Sequence, residues 1–309
     1  MQDNAVLVKD FRKVYGDTIA VDKISFEVHR GEIFGLLGPN GAGKTTTMES
    51  LEGLRQPSAG SLNVLGVDPM RSPARLRDLI GVQLQSSTLP GSMNPREAMD
   101  FFCAYHKVTP RYDLLDRLGL GEKQSSQFST LSTGQQRRLS LALAIAHDPP
   151  VLLLDEPTAG LDVGSRVELH EVMRELKAKG TTIILATHDM AEAEKMSDRV
   201  AILLKGKIAV TGSPTQLTAT GSGLVKISVS SDKASLSQNS GIFPSVSQQF
   251  IKDEYVIYYS RDAGETVPAL LDYLKAHDDH LVDLRVERPS LEDRFLEITQ
   301  PDQSNGDRP

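Results

Sequence analysis

The fold of this chain is decided by the stretch Gly38-Pro39-Asn40-Gly41-Ala42-Gly43-Lys44-Thr45-Thr46. An apolar run, residues 33–37 (IFGLL), precedes it, and a helix-forming segment, residues 47–51, follows it. Strand, glycine-rich turn and helix form the setting in which the pattern G-x-x-x-x-G-K-[ST] builds a phosphate-binding loop. Glycines let backbone N–H groups turn inward, where a Cβ would obstruct them, and the helix adds its unsatisfied N–H groups. We therefore predict a nucleoside triphosphate site.

Two side chains of this stretch carry the chemistry. Lys44 is placed to reach the β- and γ-phosphates, and the Thr45 hydroxyl is placed to ligate Mg²⁺. The alternative is a glycine-rich turn that merely ends a βα unit. Every fixed position of the pattern and both flanks are present, which favours the phosphate loop.

A second apolar run, residues 151–154 (VLLL), ends in two acids, Asp155 and Glu156. Four apolar residues followed by carboxylates predict a buried parallel strand that delivers the acids at its C-terminal end. Asp155 can hold Mg²⁺, and Glu156 stands where a base for an attacking water would be placed. By itself such a run is a core strand about as often as a metal site. Residues 181–187 form another buried-strand run, which ends in His188.

The order of these motifs resembles that of the ATP-binding-cassette ATPases. The resemblance covers about residues 4–215. It is carried by the Walker A loop at residues 38–45, a Q-loop at Gln85, the signature at residues 131–135 (LSTGQ), the Walker B strand at residues 151–155, the D-loop at residues 159–162 and the switch histidine His188. Tyr15 matches the aromatic residue that stacks on adenine in this family. Because the family acts on ATP with Mg²⁺, the resemblance implies both ligands for this chain.

The resemblance assigns roles to individual residues. It implies that Lys44, Gln85, Glu156 and His188 are catalytic and that Thr45, Gln85 and Asp155 hold the metal. It implies nucleotide contacts from Tyr15, Gly38, Pro39, Asn40, Gly41, Ala42, Gly43, Lys44, Thr45, Thr46, Ser132, Gly134, Gln135 and Asp162. The signature departs from the usual Leu-Ser-Gly-Gly-Gln because Thr133 replaces the first glycine. Ser132 and Gly134, which should bond the γ-phosphate, are present, so we predict a hydrolytic site.

Composition limits the class of protein. The chain has 309 residues, of which 39% are hydrophobic and 24% charged, so one large or two ordinary domains are expected. The net charge is −7 and no long Lys/Arg run occurs, which argues against a nucleic-acid partner. No apolar stretch reaches the roughly 18–20 residues that span a bilayer, and the N-terminus lacks the features of a secretion signal. Cys103, the only cysteine, is predicted to be a packing residue. We expect a cytoplasmic protein, peripheral on the inner face of the membrane.

The pattern along the chain predicts an α/β fold with two domains. Residues 1–215 would form a P-loop ABC ATPase domain with a mixed-sheet core, in which strands at residues 6–11 and 24–28 join the strand before the phosphate loop. Residues 86–150 would form its helical subdomain. Residues 211–223, rich in Ser, Thr and Gly, are predicted to be a linker. Residues 224–299 would form a small α/β domain of the βαβ type, and residues 300–309 a disordered tail.

The role of the small C-terminal domain stays open between ligand sensing and packing or dimer support, of which the second is favoured. Its last segment, residues 289–296 (PSLEDRFL), resembles the end of ATP-binding subunits of bacterial ABC-2-type exporters, including the daunorubicin-resistance type. That resemblance implies export of drugs, antibiotics or lipophilic compounds. The alternatives are a soluble cassette ATPase acting on ribosomes or DNA, which usually has two cassettes or a coiled-coil insert, and an importer ATPase.

The cassette resemblance also implies partners. One chain carries one phosphate loop and one signature, so a second ATP-binding subunit, in a homodimer, would complete each site. A separate membrane-spanning permease would use the resulting motion through a groove near residues 85–89. Candidate walls of that groove are Leu89, Met93, Phe101, Phe102 and Tyr105, with the alternative that half or more of them are helix core.

Overall fold

The computed structural model describes residues 4–84, 89–219, 224–238, 243–287 and 290–299. The chain divides into two units, Met1–Ser213 and Pro214–Pro309. Several predictions fall wholly or partly outside the described residues: the Q-loop Gln85, residues 85–88 of the groove, residues 220–223 of the linker, Pro289 of the C-terminal segment and the tail at 300–309.

The first unit contains two sheets and seven helices within its described residues. In chain order they are β1 (Asn4–Tyr15), β2 (Thr18–His29), β3 (Ile33–Leu37), α1 (Lys44–Leu51), β4 (Ala59–Val64), α2 (Pro73–Arg77), β5 (Ile80–Gln83), α3 (Pro95–His106), α4 (Tyr112–Arg117), α5 (Thr133–Ile145), β6 (Val151–Asp155), α6 (Val163–Ala178), β7 (Thr182–Thr187), α7 (Met190–Met196), β8 (Arg199–Leu204) and β9 (Lys207–Gly212).

The larger sheet has six strands in the order β5-β6-β7-β3-β8-β9. All neighbours are parallel except β8 and β9, which form an antiparallel hairpin. Every residue of β3, β6 and β7 is buried, because helices and the second sheet cover the two faces of this sheet. Strands that are buried on both faces have nearly continuous apolar sequences, as these three have. Parallel strands end at the same edge, so Leu37, Asp155 and Thr187 bring their following loops together.

The smaller sheet is antiparallel, with the order β2-β1-β4. The prediction that β1 and β2 join the strand before the phosphate loop is therefore wrong. Both strands alternate buried and exposed residues, which suits a sheet with one packed face rather than a central strand. They meet β3 through side chains instead: the rings of Phe26 and Phe34 stack with centroids 5.3 Å apart.

The region between β5 and β6 is mainly helical. Asn94 and Glu97 form a reciprocal capping box at the start of α3, where Pro95 occupies the first helical turn. Short 3-10 turns at residues 121–123 and 128–130 separate α4 from α5. Cys103 is fully buried, with its Sγ 3.5 Å from the sulfur of Met99. These helices share one apolar core with β6, α6 and β7.

The second unit contains α8 (Pro214–Ala219), β10 (Val225–Ser231), β11 (Val246–Lys252), β12 (Tyr255–Ser260), α9 (Ala263–Ala276), β13 (Leu281–Glu287) and α10 (Leu291–Thr299). Its sheet has the order β11-β12-β10-β13, and all its pairs are antiparallel. β12 and β13 both run antiparallel to β10, which lies between them, so β12, α9 and β13 form a split βαβ unit. Leu270 and Leu274 of α9 pack against buried residues of β10 and β12.

Two elements of the second unit differ from the sequence prediction. Helix α8 lies inside the predicted linker and begins at Pro214, a residue suited to a first helical turn. Strand β11 is absent from the prediction because its residues, VSQQFIK, are mostly polar and exposed, as expected for an edge strand. Among the described residues, no helix is long and apolar enough to cross a membrane.

Candidate functional site

The phosphate-loop stretch connects β3 to α1 and contains glycines that no other residue could replace. Gly38 has φ 153° and Gly43, the N-cap of α1, has φ 104°. A Cβ at Gly38 would lie 2.3 Å from the carbonyl oxygen of Leu203, and one at Gly43 would lie 2.8 Å from that of Ala20. The loop is therefore pressed against neighbouring backbone at both glycines.

Lys44 lies inside this loop, with only 5% of the residue exposed. Its Nζ donates hydrogen bonds to the carbonyl oxygens of Gly38 at 2.7 Å and Pro39 at 3.2 Å. Burial lowers the pKa of the Lys44 ammonium, and the negative charges of Glu156 and Asp155 oppose that shift. The geometry holds a cation at the centre of a loop shaped for an anion.

Asp155 ends β6 beside Thr45, the second residue of α1. One carboxylate oxygen, Oδ2, accepts a hydrogen bond from the Thr45 hydroxyl at 3.0 Å. The other, Oδ1, is buried and has no hydrogen-bond partner among the described residues. Burial raises the pKa of Asp155, as does the charge of Glu156, whereas the Thr45 hydrogen bond and Lys44 lower it.

These oxygens fit a magnesium ion. Mg²⁺ takes oxygen ligands and is usually held by one or two carboxylates together with substrate phosphates. A cation at Asp155 would also neutralise the buried negative charge and engage the oxygen that has no partner. The donor set of Thr45 and Asp155 is consequently compatible with the ion that the sequence predicts.

Glu156 follows directly and adopts a backbone conformation that is rare for a residue with a side chain, with φ 49°. Its N–H donates to the carbonyl oxygen of Ala186 at 2.8 Å. Its carboxylate lies 2.8 Å from Nδ1 of His188 and 3.9 Å from Nζ of Lys44. Strained backbone conformations persist only where the surrounding structure holds them, and they are most frequent at functional sites.

His188 stands just beyond β7, where Asp189 caps the start of α7 through the backbone N–H of Glu192. The His188 side chain is 54% exposed, whereas that of Glu156 is 8% exposed. The structure thus brings Lys44, Thr45, Asp155, Glu156 and His188 together at the carboxyl edge of β3, β6 and β7. A buried cation, two acids and a partly exposed imidazole can bind a polyphosphate and accept a proton from water.

The signature residues lie at the start of α5. Ser132 is the exposed N-cap, whose hydroxyl accepts from Gln135 N–H at 3.2 Å while the Gln135 side chain accepts from Ser132 N–H at 2.9 Å. A Cβ at Gly134 would lie 3.4 Å from Leu161, so the signature and the D-loop of one chain are neighbours. Asp162 caps α6 through the N–H and hydroxyl of Ser165. These residues therefore bond within their own loops.

Tyr15 ends β1, and 41% of the residue is exposed. The ammonium group of Lys13 lies 4.9 Å from the centroid of the Tyr15 ring. The ring is therefore accessible for stacking.

Arg137 was not among the site residues predicted from the sequence. This residue of α5 donates a hydrogen bond from Nη1 to the carbonyl oxygen of Glu156 at 2.7 Å. A signal was present, since Arg137 shares a helical face with the buried Leu141 and Ile145, and an arginine on a buried face needs a partner.

Two contacts that link α6 to α7 and its N-cap were not predicted either. His170 and Glu192 are both buried, with Nε2 of His170 3.1 Å from a carboxylate oxygen of Glu192. One helical turn earlier, a guanidinium nitrogen of Arg166 lies 3.7 Å from Asp189. No local pattern in the sequence indicates these contacts, because the paired residues lie more than twenty positions apart.

Comparison with known proteins gives consistent matches. The family model described as ABC transporter matches residues 21–159. "Nod factor export ATP-binding protein I" of Paraburkholderia xenovorans (strain LB400) is 37% identical over 309 residues, covering 97% of this chain and 98% of that protein. The protein of the same name from Neorhizobium galegae is 39% identical over 298 residues, covering 93% and 82%.

A solved structure described as "Structure of ATP binding subunit of ABC transporter" is similar in fold. It superposes with a TM-score of 0.65 at 29% sequence identity. The match covers 69% of this chain and 91% of the solved chain.

Proposed function

This chain belongs to the family of ATP-binding subunits of ABC transporters, and we propose that it powers a membrane exporter by hydrolysing ATP. The predicted family, the α/β P-loop fold class and the use of ATP with Mg²⁺ are confirmed, and the chain is an ATPase. The observation that carries the residue assignments below is the meeting of Lys44, Asp155, Glu156 and His188 at one sheet edge.

ATP binding would rest on the phosphate loop. Backbone N–H groups of residues 40–46 would surround the β-phosphate, and Lys44 would give up its two carbonyl contacts to meet the phosphate charge. Tyr15 stacks on the adenine ring. Thr45 and Asp155, with Gln85, would hold Mg²⁺, which when bound neutralises charge on the β- and γ-phosphates.

Hydrolysis would be carried out by Glu156. Its carboxylate takes a proton from the attacking water, and the hydrogen bond from His188 fixes the direction of that carboxylate. Lys44 stabilises the negative charge that the phosphoryl group carries during transfer. Catalysis of this kind depends mainly on positioning and on charge stabilisation rather than on covalent chemistry.

A second copy of the chain would complete each site. We assign Ser132, Gly134, Gln135 and Asp162 of one copy to the ATP held by Lys44 of the other, in a head-to-tail homodimer. The exposed position of Ser132 at the start of α5 supports this, since an N-cap hydroxyl and the positive end of a helix suit an anion. ATP then joins the two copies, and hydrolysis separates them.

The separation would drive a membrane-spanning permease, and the chain would act as a peripheral protein on the inner face of the membrane. Phe101 is 62% exposed and Tyr105 52% exposed on the same side of α3. Leu89, Met93 and Phe102 are partly buried and pack against the core. We propose Phe101 and Tyr105 as the docking side chains, because exposed aromatic pairs mark protein contacts.

Export is favoured over import or a ribosomal role by the relatives that match nearly the whole chain, which are named for export. We propose that the cargo is a drug, an antibiotic or another lipophilic compound. The decisive experiment places the chain and a candidate membrane-spanning permease in inverted vesicles and measures ATP-dependent uptake of a lipophilic dye. Uptake should require both proteins.

The double variant Phe101→Asp/Tyr105→Asp tests the docking surface in the same vesicles. It should lose transport while the isolated chain keeps its basal ATPase rate. Phe250→Asp is the matched control, since Phe250 is 53% exposed but lies in the second unit. Uptake that persists in the double variant would reject this docking site, and uptake without ATP would reject the proposed function.

A further inference from the structure

Arg137 lies at a junction of three parts of the first unit. Its guanidinium Nη1 donates to the carbonyl oxygen of Glu156, at 2.7 Å. Its own carbonyl oxygen accepts from Nε2 of Gln83, the buried last residue of β5, at 3.2 Å. The residue itself belongs to α5, five positions after the Ser132 cap. One side chain thus joins the signature helix to the acid that follows β6.

The carbonyl that Arg137 binds belongs to a strained residue. Glu156 has φ 49°, a region that costs energy for any residue with a Cβ and that persists only when the surroundings impose it. Its N–H donates to the carbonyl oxygen of Ala186, and its own carbonyl oxygen accepts from Arg137 at 2.7 Å and from the N–H of Ala159 at 3.2 Å. A charged donor makes a stronger hydrogen bond than a neutral one, so Arg137 provides the stronger of the two hydrogen bonds to this carbonyl.

We propose that Arg137 is a positioning residue for ATP hydrolysis, which fixes the backbone of Glu156 and so the direction of its carboxylate. The inference rests on the proposed function, in which Glu156 is the base. It extends that function because α5 begins with Ser132, which meets the ATP of the other copy. Binding of the other copy's ATP at the signature would therefore act, through Arg137, on the orientation of the Glu156 carboxylate in the same chain.

The hydrogen bond with Gln83 also connects Arg137 to the end of β5. β5 leads into the segment of Gln85, and the side chain of Gln83 is anchored to the Arg137 carbonyl. A shift of α5 would then move the end of β5 and the Glu156 loop together. A purely structural role makes a different prediction, because loss of a packing contact lowers stability without selecting one kinetic step.

Arg137→Met tests the proposal, since methionine keeps an unbranched apolar stem and removes the donor. We expect kcat to fall about tenfold or more while KM for ATP stays within about twofold, because Lys44 and Thr45 are untouched. Arg137→Lys retains one donor and should recover part of kcat. Arg117→Met is the control, since it removes an arginine that bonds the Glu175 carboxylate away from the site.

A second measurement separates this proposal from the one on which it rests. In the Glu156→Gln background, ATP and Mg²⁺ should produce a dimer both with and without Arg137→Met, as measured by light scattering. If Glu156→Gln alone stays monomeric, the proposed function fails. If it dimerises but Arg137→Met/Glu156→Gln does not, Arg137 acts on assembly and the positioning role is rejected. An unchanged kcat in Arg137→Met, or an equal loss in Arg117→Met, would also overturn it.

Discussion

The Nδ1 atom of His188 lies 2.8 Å from a carboxylate oxygen of Glu156. This contact bridges the loops that leave β6 and β7, two strands that pair along their whole length. The imidazole is half exposed while the carboxylate is buried, so a change that reaches the surface can act on the acid through the ring.

We expect His188→Ala to reduce kcat for ATP hydrolysis by about tenfold to a hundredfold, because Glu156 loses the hydrogen bond that directs it. ATP affinity and melting temperature should change little, since an exposed ring contributes little to the core. His188→Gln, which keeps a donor, should retain more activity than His188→Ala. Steady-state kinetics and thermal unfolding check this. Full activity in His188→Ala would remove the histidine from the mechanism.

Lys44→Ala should abolish productive ATP binding and leave the fold intact. The Nζ of Lys44 bonds two loop carbonyls and lies 3.9 Å from Glu156, and its pKa is lowered because burial disfavours the charge. These contacts lie within the site, so removing the side chain takes away the phosphate contact. Isothermal titration with ATP and Mg²⁺ measures the loss, and circular dichroism provides the folding control. Hydrolysis at the parent rate would contradict the phosphate-loop assignment.

Tyr15→Ala should weaken ATP affinity by about tenfold or more, because stacking of an aromatic ring on a base contributes about 1–3 kcal/mol. Tyr15→Phe and Tyr15→Trp should bind ATP nearly as well as the parent, since only the ring face is needed. Fluorescent-nucleotide titration gives the affinities. Equal losses for Ala and Phe would point to a hydrogen bond from the hydroxyl instead of stacking.

Glu52, at the end of α1, makes stability depend on pH. Burial first, then the charges of Asp155 and Glu49, raise the pKa of Glu52 from 4.5 to about 7. The folded state therefore holds the Glu52 proton more tightly than the unfolded state does. Protonated Glu52 makes its full contribution to the free energy of unfolding below the unfolded-state pKa of 4.5. This contribution falls as pH rises and is lost above about pH 7.

Glu52→Gln should therefore remove this part of the pH dependence. In the absence of nucleotide, the variant should melt on the order of 5 °C above the parent when the pH is above about 7. The difference in melting temperature should shrink as the pH falls toward 4.5. Thermal unfolding across the window measures it. Glu122→Gln, at an exposed site, should follow the parent. A constant offset at every pH would show that Glu52 keeps its ordinary pKa.

The strands that deliver the site could be predicted, because β3, β6 and β7 are buried on both faces and their sequences are continuously apolar. The phosphate loop could be predicted as well, since only glycine fits at Gly38 and Gly43. In both cases the local environment restricts the residue type, so the structure can be predicted from the residues present.

The rest depends on distant contacts. β1 and β2 form a separate sheet because their exposed faces are polar, yet which strand each pairs with is set by the whole domain. The left-handed backbone of Glu156 is held by hydrogen bonds with Ala186, Arg137 and Ala159, not by its own residue type. Strand β11 has few apolar residues because only its neighbour β12 holds it. Such features leave no local pattern to detect.

The two adjacent acids should fail in different ways when changed. Glu156→Gln keeps size but removes the base, so we expect ATP to bind and close the dimer while kcat falls about a hundredfold or more. Asp155→Asn keeps the Thr45 contact but removes the charge that suits Mg²⁺, so Mg²⁺-dependent ATP binding itself should weaken. Size exclusion with ATP and Mg²⁺, beside a titration of ATP with and without Mg²⁺, measures both.

The division of roles follows from the geometry at the end of β6. Asp155 points one oxygen at Thr45 and leaves the other without a hydrogen-bond partner, whereas Glu156 meets Lys44 and His188. Glu156→Gln should therefore elute as an ATP-dependent dimer, and Asp155→Asn should remain monomeric under the same conditions. The chelator EDTA should return the Glu156→Gln dimer to monomer. A monomeric Glu156→Gln variant, or one that hydrolyses ATP near the parent rate, would refute Glu156 as the base of a two-copy site.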